Sequence, residues 1–166
     1  MQQLLIVRHA IAYERSVRRW PDDDKRPLTV DGIKKFERAA RGLKGVIEAP
    51  DELLTSPLVR AQQTAAILRK IAKFPAPIEL HELRPETGAN ALIAALGRRR
   101  KPRLAIVGHE PSLSELLAEL LKGTVASSAL RLKKGALAIL EFDRGIGKGD
   151  GRLVALLPPR VLRALE

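Results

Sequence analysis

The chain has no cysteine, one Trp, one Tyr and three Phe in 166 residues, and only three histidines. Without thiols it holds no disulfide, no thiolate zinc site and no cysteine nucleophile. So few aromatics leave little on which bases could stack, and no nucleic-acid module signature is present, so a nucleic-acid partner is not expected. Wholly apolar stretches run to a few residues, far short of the roughly 20 that span a bilayer. The amino terminus shows neither the basic region nor the apolar region of a secretory signal. These absences predict a cytoplasmic chain with no membrane partner.

Acid is scarce too: 30 Lys and Arg stand against 19 Asp and Glu, a formal charge of +11. Such a field attracts phosphorylated or acidic partners. Much of the excess lies in Arg98-Arg99-Arg100-Lys101 and Arg103, which reads as a solvated loop between a helix and a strand. What is plentiful is Leu, Ile, Val and Ala, within an apolar share of 45%. At this length that predicts a single domain over residues 1–166, with helices packed on an aliphatic sheet.

Periodicity and punctuation give the order of elements. Strands are predicted at 4–7, 52–55, 78–80, 103–107, 136–142 and 152–157, and helices from Thr29 to about Gly45, from Pro57 to about 73, over 90–99, from Pro111 onward and over 159–165. Thr29 reads as an N-cap, with Ile33, Phe36, Ala40 and Leu43 on one face of its helix. Asp22-Asp23-Asp24-Lys25-Arg26-Pro27 belongs to a long polar connection. The alternation predicts an α/β three-layer sandwich, a mostly parallel central sheet flanked by helices on both faces. The run Gly145-Ile146-Gly147-Lys148-Gly149-Asp150-Gly151 superficially matches a nucleotide loop, but it joins two strands rather than a strand and a helix, so it reads as a mobile hairpin loop.

Each of the first four strands is followed by a polar cluster: Arg8-His9, Ser56-Pro57-Leu58-Val59-Arg60, His81-Glu82, and His109-Glu110. In open α/β sheets that carboxyl edge is where ligands bind. Two arginines and two histidines suit a phosphoryl group, because guanidinium forks match its oxygens and surrounding cations keep an imidazole neutral. His9 is then a candidate nucleophile, with Arg8, Arg60 and His109 neutralising transferred charge and Glu82 as candidate general acid and base. The expected phosphate contacts are Arg8, Arg60, His109 and Glu110. No metal or other cofactor is called for: a site built from His9, His81, His109 and Asp22 to Asp24 would be flanked by arginines. Ser56 and Thr64 are expected to satisfy backbone groups around Arg60, and His81 to be a surface residue.

Together the segments Leu-Ile-Val-Arg-His-Ala at 5–10, Arg-Pro-Leu-Thr-Val-Asp-Gly at 26–32, Thr-Ser-Pro-Leu-Val-Arg-Ala-Gln-Gln-Thr-Ala at 55–65 and Val-Gly-His-Glu-Pro-Ser-Leu at 107–113 resemble the histidine phosphatase superfamily, and within it the short SixA-like phosphohistidine phosphatases. The resemblance implies a phosphoglycerate mutase-like fold and a metal-independent phosphatase working through a phosphohistidine enzyme. It puts His9 on the nucleophile position and Arg8, Arg60 and His109 on the phosphate pocket. Ala10 stands where the wider superfamily has glycine, a departure shared with the SixA-like branch. The implied partner is a phosphorylated protein carrying phosphohistidine. A phosphatase of small phosphoesters or nucleotides, and a phosphate-binding module without turnover, remain as alternatives. Oligomeric state is not legible.

Overall fold

The computed structural model describes residues 1–121 and 125–166. Its strands are β1 (Gln2–Arg8), β2 (Glu52–Thr55), β3 (Pro77–Glu79), β4 (Arg103–Gly108), β5 (Leu137–Phe142) and β6 (Arg152–Leu157). Its α-helices are α1 (Val30–Val46), α2 (Val59–Ala72), α3 (Ala89–Gly97), α4 (Ser112–Leu120) and α5 (Pro159–Ala164). The strands form one sheet in the order β3-β2-β4-β1-β5-β6. β1 to β4 are parallel, and β5 alone runs against its neighbours. This is the expected mostly parallel α/β sandwich.

Alternation within β1 explains the layers. Leu4 and Ile6 point into a cluster with Leu92, Leu96, Leu113, Leu116 and Leu120 of α3 and α4. Leu5 and Val7 point the other way, onto Phe36, Ala40 and Leu43 of α1, Ala61, Ala65 and Leu68 of α2, and Leu162 of α5. A central strand covered on both faces needs an unbroken apolar run, and truncating one such leucine to alanine costs about 2–5 kcal/mol. α1 starts as expected: Thr29 Oγ1 accepts the Gly32 N–H at 2.8 Å. Gly32 itself lies so close to the Ile11 carbonyl oxygen that a Cβ there would collide with it.

Several details differ from the sequence reading. Pro57 does not open α2: Leu58 keeps an extended backbone (φ −69°, ψ 135°), so the helix begins at Val59. Pro111 likewise precedes α4 as its cap, and α3 stops at Gly97. The glycine-rich 145–151 segment does connect two strands, yet it is tied down by Ile146 N–H to Gln2 Oε1 (3.1 Å), Gly149 N–H to the Glu119 carbonyl (2.9 Å) and Gly151 N–H to the Leu120 carbonyl (2.7 Å). The basic run is only partly solvated, since Arg99 pairs with Glu52, and Arg103 with Glu48 and Asp51. No helix among the described residues is long and apolar enough to cross a membrane.

Candidate active site

Strand register brings the two predicted histidines together. β1 and β4 pair with Val7 opposite Val107 and Arg8 opposite Gly108. The residue beyond each strand is a histidine, and the His9 N–H bonds the Gly108 carbonyl at 3.1 Å. The rings end with centroids 5.1 Å apart, both buried. On the far side of β4, Thr55 of β2 pairs with Val107, which delivers Ser56 to His109: Ser56 Oγ lies 2.8 Å from His109 Nε2. The insertion of β4 between β1 and β2 thus gathers three strand ends at one rim.

Hydrogen-bond partners fix the tautomers. His9 Nδ1 is 2.7 Å from the Ala10 carbonyl, which can only accept. The proton of neutral His9 therefore sits on Nδ1, and Nε2 carries a free lone pair. Ser56 Oγ accepts the Leu58 N–H at 3.3 Å, and its own proton has no other acceptor among the described residues than His109 Nε2. That leaves the His109 proton on Nδ1, which is buried without a partner. Arg8 Nε and Arg60 Nε are likewise buried donors without partners. Unpaired buried donors are rare in native proteins, and these three belong to the side chains whose charge or ring bears on His9 or His109.

Electrostatics keep both rings neutral. Burial is the main cause that pulls His9 down to about 3; the Ala10 carbonyl opposes it, and Arg60, Arg8 and Lys134 add to it. His109 falls to about 2, again mainly through burial, helped by His9, Arg60, Arg26 and Arg8. Burial also lowers both arginines from their ordinary value, but guanidinium stays charged at any physiological pH.

Contacts with neighbouring segments hold the two arginines and the His9 loop in place. Arg8 Nη1 donates to the Leu132 carbonyl at 2.8 Å. Arg60 Nη1 donates to the Asp23 carbonyl at 2.8 Å, and its Nη2 meets Asp23 Oδ2 at 3.2 Å. Asp23 also accepts from Arg26 Nε at 2.8 Å, and Arg26 Nη1 reaches the Tyr13 carbonyl at 2.7 Å. Thr64 accepts the Ala10 N–H at 3.0 Å and donates to the Arg60 carbonyl at 2.7 Å, joining the His9 loop to α2.

Of the predicted site residues, His9, Arg8, Arg60 and His109 converge. Glu110 does not present its carboxylate as a phosphate contact: Oε1 accepts the Leu132 N–H at 2.8 Å and Oε2 the Ser114 hydroxyl at 2.6 Å, and its charge would repel an anion. Glu82 lies half-buried in a 3-10 turn, His81–Leu83, and makes no hydrogen bond or ion pair among the described residues. His81 is exposed, as expected. Asp23 entered the sequence reading only within an acidic connection and a discounted metal site, and Arg26 only as the first residue of the 26–32 segment; neither was given a role at the rim. Among the described residues no cluster of three His, Asp or Glu side chains is placed to hold a metal.

Known proteins resemble this chain in sequence and in fold. The family model of the histidine phosphatase superfamily (branch 1) matches residues 4–91. The phosphohistidine phosphatase SixA of Escherichia coli is 31% identical over 73% of this chain and 75% of its own. An uncharacterized protein of Picosynechococcus sp. is 33% identical over 92% of this chain and 89% of its own. A solved structure of the protein histidine phosphatase SixA with tungstate superposes with a TM-score of 0.81 at 28% identity, covering 97% of this chain and 99% of that one. A phosphoserine phosphatase from Entamoeba histolytica shares the fold, at a TM-score of 0.70 and 17% identity over 98% of this chain and 100% of that one.

The chain belongs to the histidine phosphatase superfamily, and is accordingly a hydrolase, a phosphatase that uses a histidine nucleophile. Within that superfamily it falls in the SixA-like branch.

Proposed function

We propose that the protein removes the phosphoryl group from phosphohistidine on another protein, with His9 as the nucleophile. The observation that carries this is the Nδ1–H bond of His9 to the Ala10 carbonyl, which leaves Nε2 unprotonated beside His109 and two arginines. Nε2 attacks phosphorus, the bond to the substrate imidazole breaks, and that imidazole leaves with a proton. Water then attacks the phosphohistidine of His9, giving inorganic phosphate and restoring the free ring. Arg8, Arg60 and the Nδ1–H of His109 supply donors to the equatorial oxygens as their charge grows.

An imidazole leaves more readily than an alkoxide, so the first step needs little acid assistance. Glu82 remains the candidate proton donor for it. Glu110 instead braces the segment that receives Arg8. The substrate choice draws on the likeness to SixA; the cup itself recognises a phosphoryl group whatever carries it, which keeps small phosphoesters as the second reading.

The test offers purified protein phosphohistidine, phosphoserine and nucleotide substrates with a chelator present. Turnover of phosphohistidine with an acid-labile phosphoenzyme, both lost in His9→Ala, is expected. Full activity of that variant would overturn the mechanism, and turnover confined to small esters would overturn the substrate.

A further inference from the structure

Because β5 runs antiparallel to β1, the chain enters it from the rim that carries the histidines. The entering segment begins with a 3-10 turn, Ser127–Leu130, and continues through Arg131, Lys133 and Lys134. Between it and the start of α4 lies a cleft of about 490 Å³, lined by Arg8, Glu110, Ser114, Ser127, Ser128 and Arg131. The cleft shares Arg8 with the phosphoryl cup, but His9, Arg60 and His109 are not part of its lining.

The charges in this cleft do not balance. Glu110 is the one carboxylate in its lining, and both its oxygens are already engaged by Leu132 and Ser114. Arg131 is exposed and close enough to weaken the proton affinity of Arg8, yet among the described residues it has no acidic partner, nor have Lys133 and Lys134. The hydroxyls of Ser127 and Ser128 make no hydrogen bond among the described residues either. A guanidinium fork and two hydroxyls facing one opening form a donor set that fits a planar carboxylate.

We infer that this cleft is a second anion subsite, in which Arg131 with Ser127 and Ser128 receives an acidic side chain lying next to the phosphorylated histidine of the substrate protein. The inference rests on the reading of the cup as a phosphohistidine site. It makes the enzyme selective for phosphohistidine in acidic surroundings, with Arg8 between the two anions as their shared cation.

The test uses two phosphohistidine peptides that differ only in flanking residues, Glu and Asp in one, Gln and Asn in the other. The wild-type protein is expected to favour the acidic peptide by about fivefold in kcat/KM, the scale of one solvent-exposed charge pair. Arg131→Ala should abolish that preference, Arg131→Glu should invert it, and Arg131→Lys should keep part of it. Equal wild-type rates on both peptides, or a preference that survives Arg131→Ala, would overturn the subsite. If neither peptide is hydrolysed, the functional reading fails, and the subsite is then judged on a small phosphoester with and without a second phosphate. A preference for the bisphosphate that disappears in Arg131→Ala would uphold it, and equal rates would reject it.

Discussion

Asp23 grips Arg60 twice, through its carbonyl at 2.8 Å and its carboxylate at 3.2 Å, and so turns one edge of the guanidinium away from the cup while the Nε edge stays unpaired. Arg26 holds the same carboxylate from the other side, and these contacts with Arg26 and Arg60 keep Asp23 below the usual carboxylate range. An aspartate so paired is a poor proton donor and a good strut. Asp23→Asn keeps the carbonyl contact but loses the charge that binds both arginines. The expected result is a fall in kcat of about tenfold, the scale of one charged hydrogen bond. KM should stay unchanged or drop, since the substrate anion loses a repelling neighbour. Steady-state kinetics decide: a fall carried by KM alone would contradict the positioning role.

Ser56 acts on His109 from behind. Ser56→Ala removes the donor that keeps the His109 proton on Nδ1, without touching the substrate side of the ring. The expected loss is about ten- to a hundredfold in kcat, within the range of one misdirected oxyanion donor. Ser56→Thr, which retains the hydroxyl, should recover much of it. An NMR measurement of the imidazole nitrogens should show the tautomer change in the alanine variant.

The pH dependence follows from the two buried rings. Both have folded values, about 3 for His9 and about 2 for His109, below the ordinary imidazole value, so in acid the unfolded chain binds protons that the folded one refuses. Their contribution to stability is complete above about pH 6.5 and is lost as pH falls toward the folded values. Each ring gives a slope of up to about 1.4 kcal/mol per pH unit within that window. Urea titrations between pH 7 and pH 4 should therefore show stability falling with acid, with a shallower slope in His109→Asn. In catalysis, kcat/KM corrected for ionisation of the substrate should show no acid limb near 6.5, because the free enzyme keeps Nε2 unprotonated well below that. An inflection at the ordinary imidazole pKa would mean that the nucleophile is not the buried ring.

The strands, and the placing of Arg8, His9, Arg60 and His109 at one rim, were legible because each rule used was local. An aliphatic run reads as a strand, and a polar residue at its end reads as part of the rim. His9 and His109 could be paired in advance only as members of one edge; their direct adjacency needed the strand order, with β4 beside β1. Asp23 was illegible for a different reason. Its partner Arg60 is 37 residues away, and nothing in an acidic run says which of its members faces inward. Glu110 misled because adjacency to His109 in sequence carries no orientation, and its side chain turns to Leu132 and Ser114. The helix starts at Pro57 and Pro111 were placed early because proline tolerates the first helical turn and equally the bend just before it.

The reversal of β5 has an evolutionary reach. The stretch from Ser127 to Lys134 enters the sheet at the histidine end, yet it adds to the core mainly through Leu130 and Leu132. Lineages could redraw the residues around those two anchors at small cost to folding, and so trade one client for another while the chemistry stayed untouched.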